Sequence, residues 1–121
     1  MNVIFRKWDV VLLAYPFSDL SASKVRPAVV ISPDSENGKL DDSVFLFITS
    51  NTSRQSPFDL VIEISHPEFV STGLLNSSAI RVNKVWTLRS TLVHKVLGRL
   101  GPQLRKNVLS CLASYLEIPQ S

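Results

Sequence analysis

Lys24-Val25-Arg26-Pro27-Ala28-Val29-Val30-Ile31-Ser32 sets a charged pair before a proline and then four apolar residues, three of them β-branched. The run reads as a buried strand entered through one arginine. Proline cannot donate to a β-ladder, so it belongs at the first rung of the strand or at its edge. It also biases Arg26 towards extended geometry. An arginine at the end of a rigid strand loses little side-chain freedom on binding an anion, and its fork matches phosphate. Taken alone, the stretch also describes a surface arginine beside a turn, so the flanking segments decide.

Before it, Asp9 to Tyr15 is a near-continuous apolar run of strand length, the pattern of a strand buried on both faces or set in a barrel wall. The polar segment 16–23 then delivers the chain to Arg26, and small polar loop tips of this kind often carry function. Beyond it, Asn37-Gly38 marks a turn. Ser43 to Ser50 reads as a third strand ending in a run of hydroxyl and amide groups, Thr49-Ser50-Asn51-Thr52-Ser53. Leu60 to Ile64 is a short fourth strand, and segment 66–73 looks irregular. Ser78 to Leu88 alternates, predicting Ala79, Arg81 and Asn83 on one face and Ile80, Val82 and Lys84 on the other. Val93 to Leu100 fits either strand or helix, with Gly98 against the helix. Pro102 suits a first helical position. From there Leu104, Val108, Leu109, Cys111, Leu112, Tyr115 and Leu116 mark one helical face, and Pro119 stops the helix. Five or six short strands and one C-terminal helix predict a mainly β (α+β) fold, a small and strongly bent antiparallel barrel, as a single domain over 1–121.

Composition narrows the chemistry. The chain has 121 residues, 45% of them hydrophobic and 19% charged, which is globular rather than disordered. Its one cysteine, Cys111, excludes an internal disulfide framework and a cysteine-cluster zinc site. His66 and His94 lack metal-ligand spacing, so no metal and no cofactor are expected. No apolar run reaches the ~20 residues of a membrane span, and a cytoplasmic location is the expectation. The net charge of +3 is unevenly placed: residues 1–75 carry six Lys/Arg against nine Asp/Glu, whereas residues 76–121 carry seven against Glu117 alone. Such asymmetry suggests a polyanionic or acidic partner for the second half.

Three polar stations fall at strand ends or on a strand face: Arg26, Thr49-Ser50, and Arg81 with Asn83. Gathered in a small barrel, they would form an anion site suited to a phosphodiester, able to hold non-bridging oxygens and stabilise added negative charge. No nucleotide-binding glycine loop and no carboxylate cluster for Mg²⁺ accompanies them. Metal-free phosphodiester cleavage is open to RNA, whose 2′-OH attacks the adjacent phosphorus. Phe17 and Trp86 are candidates for stacking on bases, although such aromatics are more often core. Trp8 reads as packing, and Cys111 as inert core.

The order of these motifs resembles the PemK/MazF toxins of bacterial toxin–antitoxin systems, over nearly the whole chain. Asp9-Val10-Val11-Leu12 looks like the family's opening Gly-Asp-(Ile/Val) strand, and Lys24-Val25-Arg26-Pro27-Ala28-Val29-Val30 like its Arg-Pro strand. Ile48-Thr49-Ser50 is similar to its strand-end Thr-Ser. Ile80-Arg81-Val82-Asn83-Lys84 with Thr87-Leu88 resembles a later Arg-x-Asp strand, and Lys95-Val96-Leu97-Gly98-Arg99-Leu100 its closing segment.

The resemblance implies an SH3-like barrel, a homodimer, and an endoribonuclease (mRNA interferase) that cleaves single-stranded RNA sequence-selectively without metal and is blocked by an antitoxin, whose inhibitory segment is expected to be acidic to match the basic second half of the chain. Carried over, Arg26 stabilises the transition state or donates a proton, Thr49 binds the scissile phosphate, and Arg81 matches an arginine catalytic in part of the family. Phe17, Ser18, Lys24, Ser50, Asn51, Asn83, Lys84 and Trp86 are the expected RNA-binding set. Two departures stand out. Trp8 occupies a position usually glycine, and Asn83 one where a branch of the family has a catalytic aspartate. A neutral amide is no carboxylate base, which leaves Asp19 or His94 as substitutes. It also leaves two rival readings: a non-enzymatic barrel toxin poisoning a protein such as DNA gyrase, or an RNA-binding barrel with lost catalysis.

Overall fold

In a computed structural model that describes residues 3–14, 24–38 and 41–120, the apolar runs become strands of one antiparallel sheet. The strands are β1 (Asp9–Ala14), β2 (Val25–Val30), β3 (Asp42–Thr49), β4 (Asp59–Ile62), β5 (Ser78–Arg89) and β6 (Val93–Arg99), with α1 (Phe69–Thr72) before β5 and α2 (Pro102–Tyr115) after β6. The spatial order is β4-β5-β3-β2-β1-β6. Segment 93–99 is therefore a strand. Strand 4 begins one residue earlier than its apolar pattern suggests and stops at Ile62.

The unbroken apolar runs of β1 and β2 follow from burial on both faces. Val10 and Val29 join Leu46, Ile48, Ile62, Ile80 and Val82 in one core, which α1, Leu100 and α2 cover through Phe69, Leu104 and Val108. On the opposite face Val11, Leu13, Ala28 and Val30 pack with Phe5, Phe45 and Val93. Each of the valine, leucine, isoleucine and phenylalanine side chains, taken fully out of water, contributes about 1.5–3 kcal/mol. The helix buries less than its sequence pattern predicts. Leu104 and Val108 are buried, Cys111 and Leu112 are only partly covered, and Leu109 and Leu116 are half exposed. The second half of α2 packs at its edge only, with Cys111 and Leu112 against the core and Tyr115 edge-on to Phe58 at 5.1 Å between ring centroids. The Cys111 thiol donates to the Phe58 carbonyl at 3.5 Å, and burial pushes it up from its ordinary value.

Edges β4 and β6 do not pair with each other. The connection leaving β4 runs through α1 onto β6, and backbone packing completes the barrel. A Cβ on Gly98 would lie 2.3 Å from the Ser71 carbonyl oxygen, and one on Gly73 (φ +74°) 2.1 Å from that of Leu97. Glu68 then fastens this crossing to α2. The N-cap, Gly101, has no side chain to offer, and Glu68 accepts instead from the backbone N–H groups of Gln103 (3.0 Å) and Leu104 (2.8 Å). Those bonds, that of Gln103 foremost, hold the Glu68 carboxyl below its ordinary value. Because the folded value is the lower one, this stabilisation is complete above the unfolded glutamate range (about pH 4.3). It disappears as pH falls through the lowered value. Glu68→Ala is expected to lower the melting temperature by a few degrees at pH 7 and by progressively less in acid, as thermal melts across pH would show.

Trp8 adopts φ +75°, which supplies the reason the position favours glycine: the left-handed region costs a residue with a Cβ about 1–2 kcal/mol. The backbone is held there by Trp8 N–H donating to Val30 O (2.8 Å) and Leu100 N–H donating to Trp8 O (2.9 Å). The indole packs against the first core. Losing a large aromatic from a core costs about 3–5 kcal/mol when it is fully buried, and Trp8 is partly buried. Packing still outweighs strain. Trp8→Gly is expected to destabilise the fold by about 1–2 kcal/mol in urea titration.

Candidate active site

Register places the predicted stations side by side. Arg26 pairs with Leu13 on β1, and Ala28 with Phe47 on β3. Extending that antiparallel ladder by two residues brings Arg26 level with Thr49. Across β3, Phe47 pairs with Arg81 and Thr49 with Ala79. Alternation therefore puts Arg26, Phe47, Thr49 and Arg81 on the face that also carries Ala28, Val30 and Phe45. At one end this face is core; at the other it opens into a cavity of about 310 Å³ lined by Arg26, Phe47, Ile48, Thr49, Arg81, Lys84 and Trp86.

A bulge in β5 completes the cavity. Leu46 pairs with Val85 while the next residue, Phe47, pairs with Arg81, so Val82, Asn83 and Lys84 have no partners on β3. A regular ladder would set Asn83 opposite Phe45; the bulge puts Trp86 there. Trp86 stacks on Phe47 with ring centroids 5.3 Å apart and an interplanar angle of 12°. The expectation that Lys84 shares a face with Ile80 and Val82 is corrected: within the bulge Lys84 is exposed and lines the cavity with Arg81. Asn83 does not line this cavity, and among the described residues its buried Oδ1 has no hydrogen-bond partner.

A second cavity, about 720 Å³, lies on the other side of the Arg26–Thr49 edge. Its walls are apolar, from Leu12, Pro27, Leu74 and Leu97, and Lys24, Ser50 and Lys95 also line it. Side-chain cations thus surround Thr49 from both sides, and among the described residues no carboxylate or imidazole lines either cavity. Such a field favours a bound anion.

Of the expected RNA-binding set, Lys24, Ser50, Lys84 and Trp86 line one cavity or the other. Asn51 lines neither; its Oδ1 accepts from Ser53 N–H at 3.0 Å, and its own N–H donates to Thr49 Oγ1 at 3.1 Å. Phe17 and Ser18 lie outside the described residues, as does Asp19. His94 is exposed and lines neither cavity.

Two participants are not singled out by the sequence. Phe47 was visible in principle, because a residue two before Thr49 in a strand shares its face. Asp59 was not. It faces Arg81 directly across the β4–β5 ladder and forms an ion pair with it, the Asp59 side chain fully buried and the Arg81 side chain 11% exposed. Only the register, unknown from the sequence, brings the two together.

A sequence-family profile described as PemK-like, MazF-like toxin of type II toxin–antitoxin system matches residues 6–116. No curated protein sequence matches the chain. Among solved structures, an endoribonuclease in complex with its cognate antitoxin from a mycobacterial species superposes with a TM-score of 0.72 at 20% identity, covering 98% of this chain and 100% of that one. The Mycobacterium tuberculosis toxin MazF-mt6 gives 0.74 at 12% identity (93% and 99% covered). MazF from Deinococcus radiodurans gives 0.72 at 21% identity (95% and 98% covered). At these identities the likeness carries the fold, the small bent barrel with a C-terminal helix.

Proposed function

Since the chain belongs to the PemK-like, MazF-like toxins of type II toxin–antitoxin systems, we propose that it is the toxin of such a pair, an endoribonuclease that cleaves single-stranded mRNA without a metal ion. The observation that carries this reading is Arg26 beside Thr49 in a cavity lined by cations. In the proposed reaction the 2′-oxygen of one nucleotide attacks the adjacent phosphorus and the P–O5′ bond breaks. The products are a 2′,3′-cyclic phosphate and a 5′-OH end. Arg26 donates its forked N–H groups to the non-bridging oxygens, whose charge grows in the transition state. The Thr49 hydroxyl, its oxygen already accepting from Asn51 N–H, donates to the same phosphate. The amide of Asn83 takes no proton at neutral pH and stands apart from the cavity. In this reading the 2′-OH proton passes to solvent and the departing 5′-oxygen takes a proton from solvent, while charge stabilisation supplies most of the rate. Lys84 and the Phe47–Trp86 stack form a wall against which a neighbouring nucleotide lies.

In this reading the protein pairs as a homodimer, and its antitoxin covers the cationic cavities with an acidic segment, which charge complementarity favours. Among similar folds, the mycobacterial endoribonuclease occurs in complex with its cognate antitoxin, and MazF of Deinococcus radiodurans with MazE. The reaction is tested by incubating the purified protein with long single-stranded RNA in EDTA and sequencing the ends. Site-selective cuts with cyclic-phosphate and 5′-OH termini are expected. Intact RNA would refute the reading, and retained RNA affinity with no turnover would indicate a binding barrel instead.

A further inference from the structure

The buried pair between Asp59 and Arg81 is wired to the loop that follows Thr49. Asp59 Oδ2 accepts from the Gln55 and Ser56 N–H groups at 2.8 and 3.2 Å as well as from Arg81 Nη1. Arg81 donates onward to two carbonyls, Nη2 to Asn51 at 3.3 Å and Nη1 to Ser53 at 3.5 Å. The pair therefore grips segment 51–56 at both ends. The same Asn51 whose carbonyl accepts from Arg81 donates its N–H to Thr49 Oγ1. An unbroken chain of contacts runs from the Asp59 carboxylate, through Arg81 and Asn51, to the hydroxyl beside Arg26.

We propose that Asp59 is a positioning residue of the site: through Arg81 and Asn51 it orients the Thr49 hydroxyl, and it holds the Arg81 charge away from the RNA phosphate. The proposal rests on the ribonuclease reading above and reassigns Arg81 from contact with substrate to support of Thr49. The electrostatics favour it. A guanidinium facing a fully buried carboxylate is attracted in a weakly screened environment, whereas a phosphate at the cavity mouth competes through water. Most of the Arg81 donors are already directed at Asp59 and two carbonyls, so few remain for a phosphate. Binding RNA should then release counterions on account of Arg26 and the lysines, with no share from Arg81.

The test uses Asp59→Asn, which keeps an oxygen for the loop N–H groups, together with Arg81→Met and the double variant. Each is assayed for RNA cleavage and for salt-dependent binding of a non-cleavable 2′-deoxy oligonucleotide, at a temperature where circular dichroism shows it folded. Arg81→Met should lower kcat at least tenfold while leaving the slope of log affinity against log salt unchanged. Asp59→Asn should lower kcat comparably yet steepen that slope by up to about 0.7, because it releases a cation. The double variant should be no slower than either single one. A slope reduced by about 0.7 in Arg81→Met, additive losses in the double variant, or an undiminished kcat in Asp59→Asn would each overturn the proposal. Should Asp59→Asn fail to fold, the double variant, which removes both charges at once, carries the kcat comparison. Trypsin provides an arm independent of RNA. Arg54 lies within the gripped loop, its Nη2 donating to the carbonyls of Pro57 and Asp59 at 3.3 and 3.2 Å. Cleavage after Arg54 should accelerate at least tenfold in both single variants, and unchanged cleavage would overturn the linkage. A wild-type protein that leaves RNA intact but shows this protease pattern would instead refute the ribonuclease reading alone.

Discussion

Arg26→Ala is expected to lower RNA cleavage by about 10²–10³-fold, the loss typical when one preorganised donor to a developing oxyanion is removed. The loss should fall mainly on kcat, because the non-bridging oxygens carry their largest charge in the transition state. Stability should change little. Arg26 is exposed, at the end of β2 away from the fully buried Ala28, Val29 and Val30, so its removal leaves the apolar packing intact. Arg26→Lys should recover part of the rate, since it restores the charge without the fork. Single-turnover cleavage of a defined oligonucleotide beside a thermal melt decides the matter. Unimpaired cleavage by folded Arg26→Ala would remove this residue from the reaction.

Asp59→Ala should be the most destabilising single change outside the apolar cores. It leaves the Arg81 guanidinium buried without its counter-charge and strips two loop N–H groups of their acceptor. Removing one partner of a buried pair costs about 3–5 kcal/mol, or about 12–20 °C in melting temperature for a domain of this size. The double variant Asp59→Ala/Arg81→Met should recover much of that loss, because uncompensated charge rather than missing attraction dominates it. Urea titrations of the two single variants and the double one would measure the coupling. A melting point within 3 °C of the wild type in Asp59→Ala would show that water reaches and screens the pair.

These two residues mark what local pattern reveals and what it hides. Arg26 was legible because its surroundings are local: a proline that fixes the strand entrance, and an apolar run long enough to require burial. The same logic located Thr49 at a strand end and the strand-plus-helix composition of the fold. The family likeness rests on such short contiguous motifs, and Trp8 shows why a departure from one can persist: the left-handed backbone is held by two hydrogen bonds and offset by indole packing.

Side-chain identity along the chain was enough to place an arginine at a strand entrance and a threonine at a strand end in one small bent barrel. Their neighbours depended on register. A three-residue bulge in β5, invisible in the alternation of Ser78 to Leu88, withdraws Asn83, turns Lys84 outward and brings Trp86 onto Phe47. The β4–β5 ladder likewise sets Asp59 against Arg81, residues 22 apart in sequence. A slip of one residue in either ladder would send those side chains to the opposite face. Strand pairing, a property of the whole sheet, thus decides whether Arg81 meets a phosphate or a carboxylate.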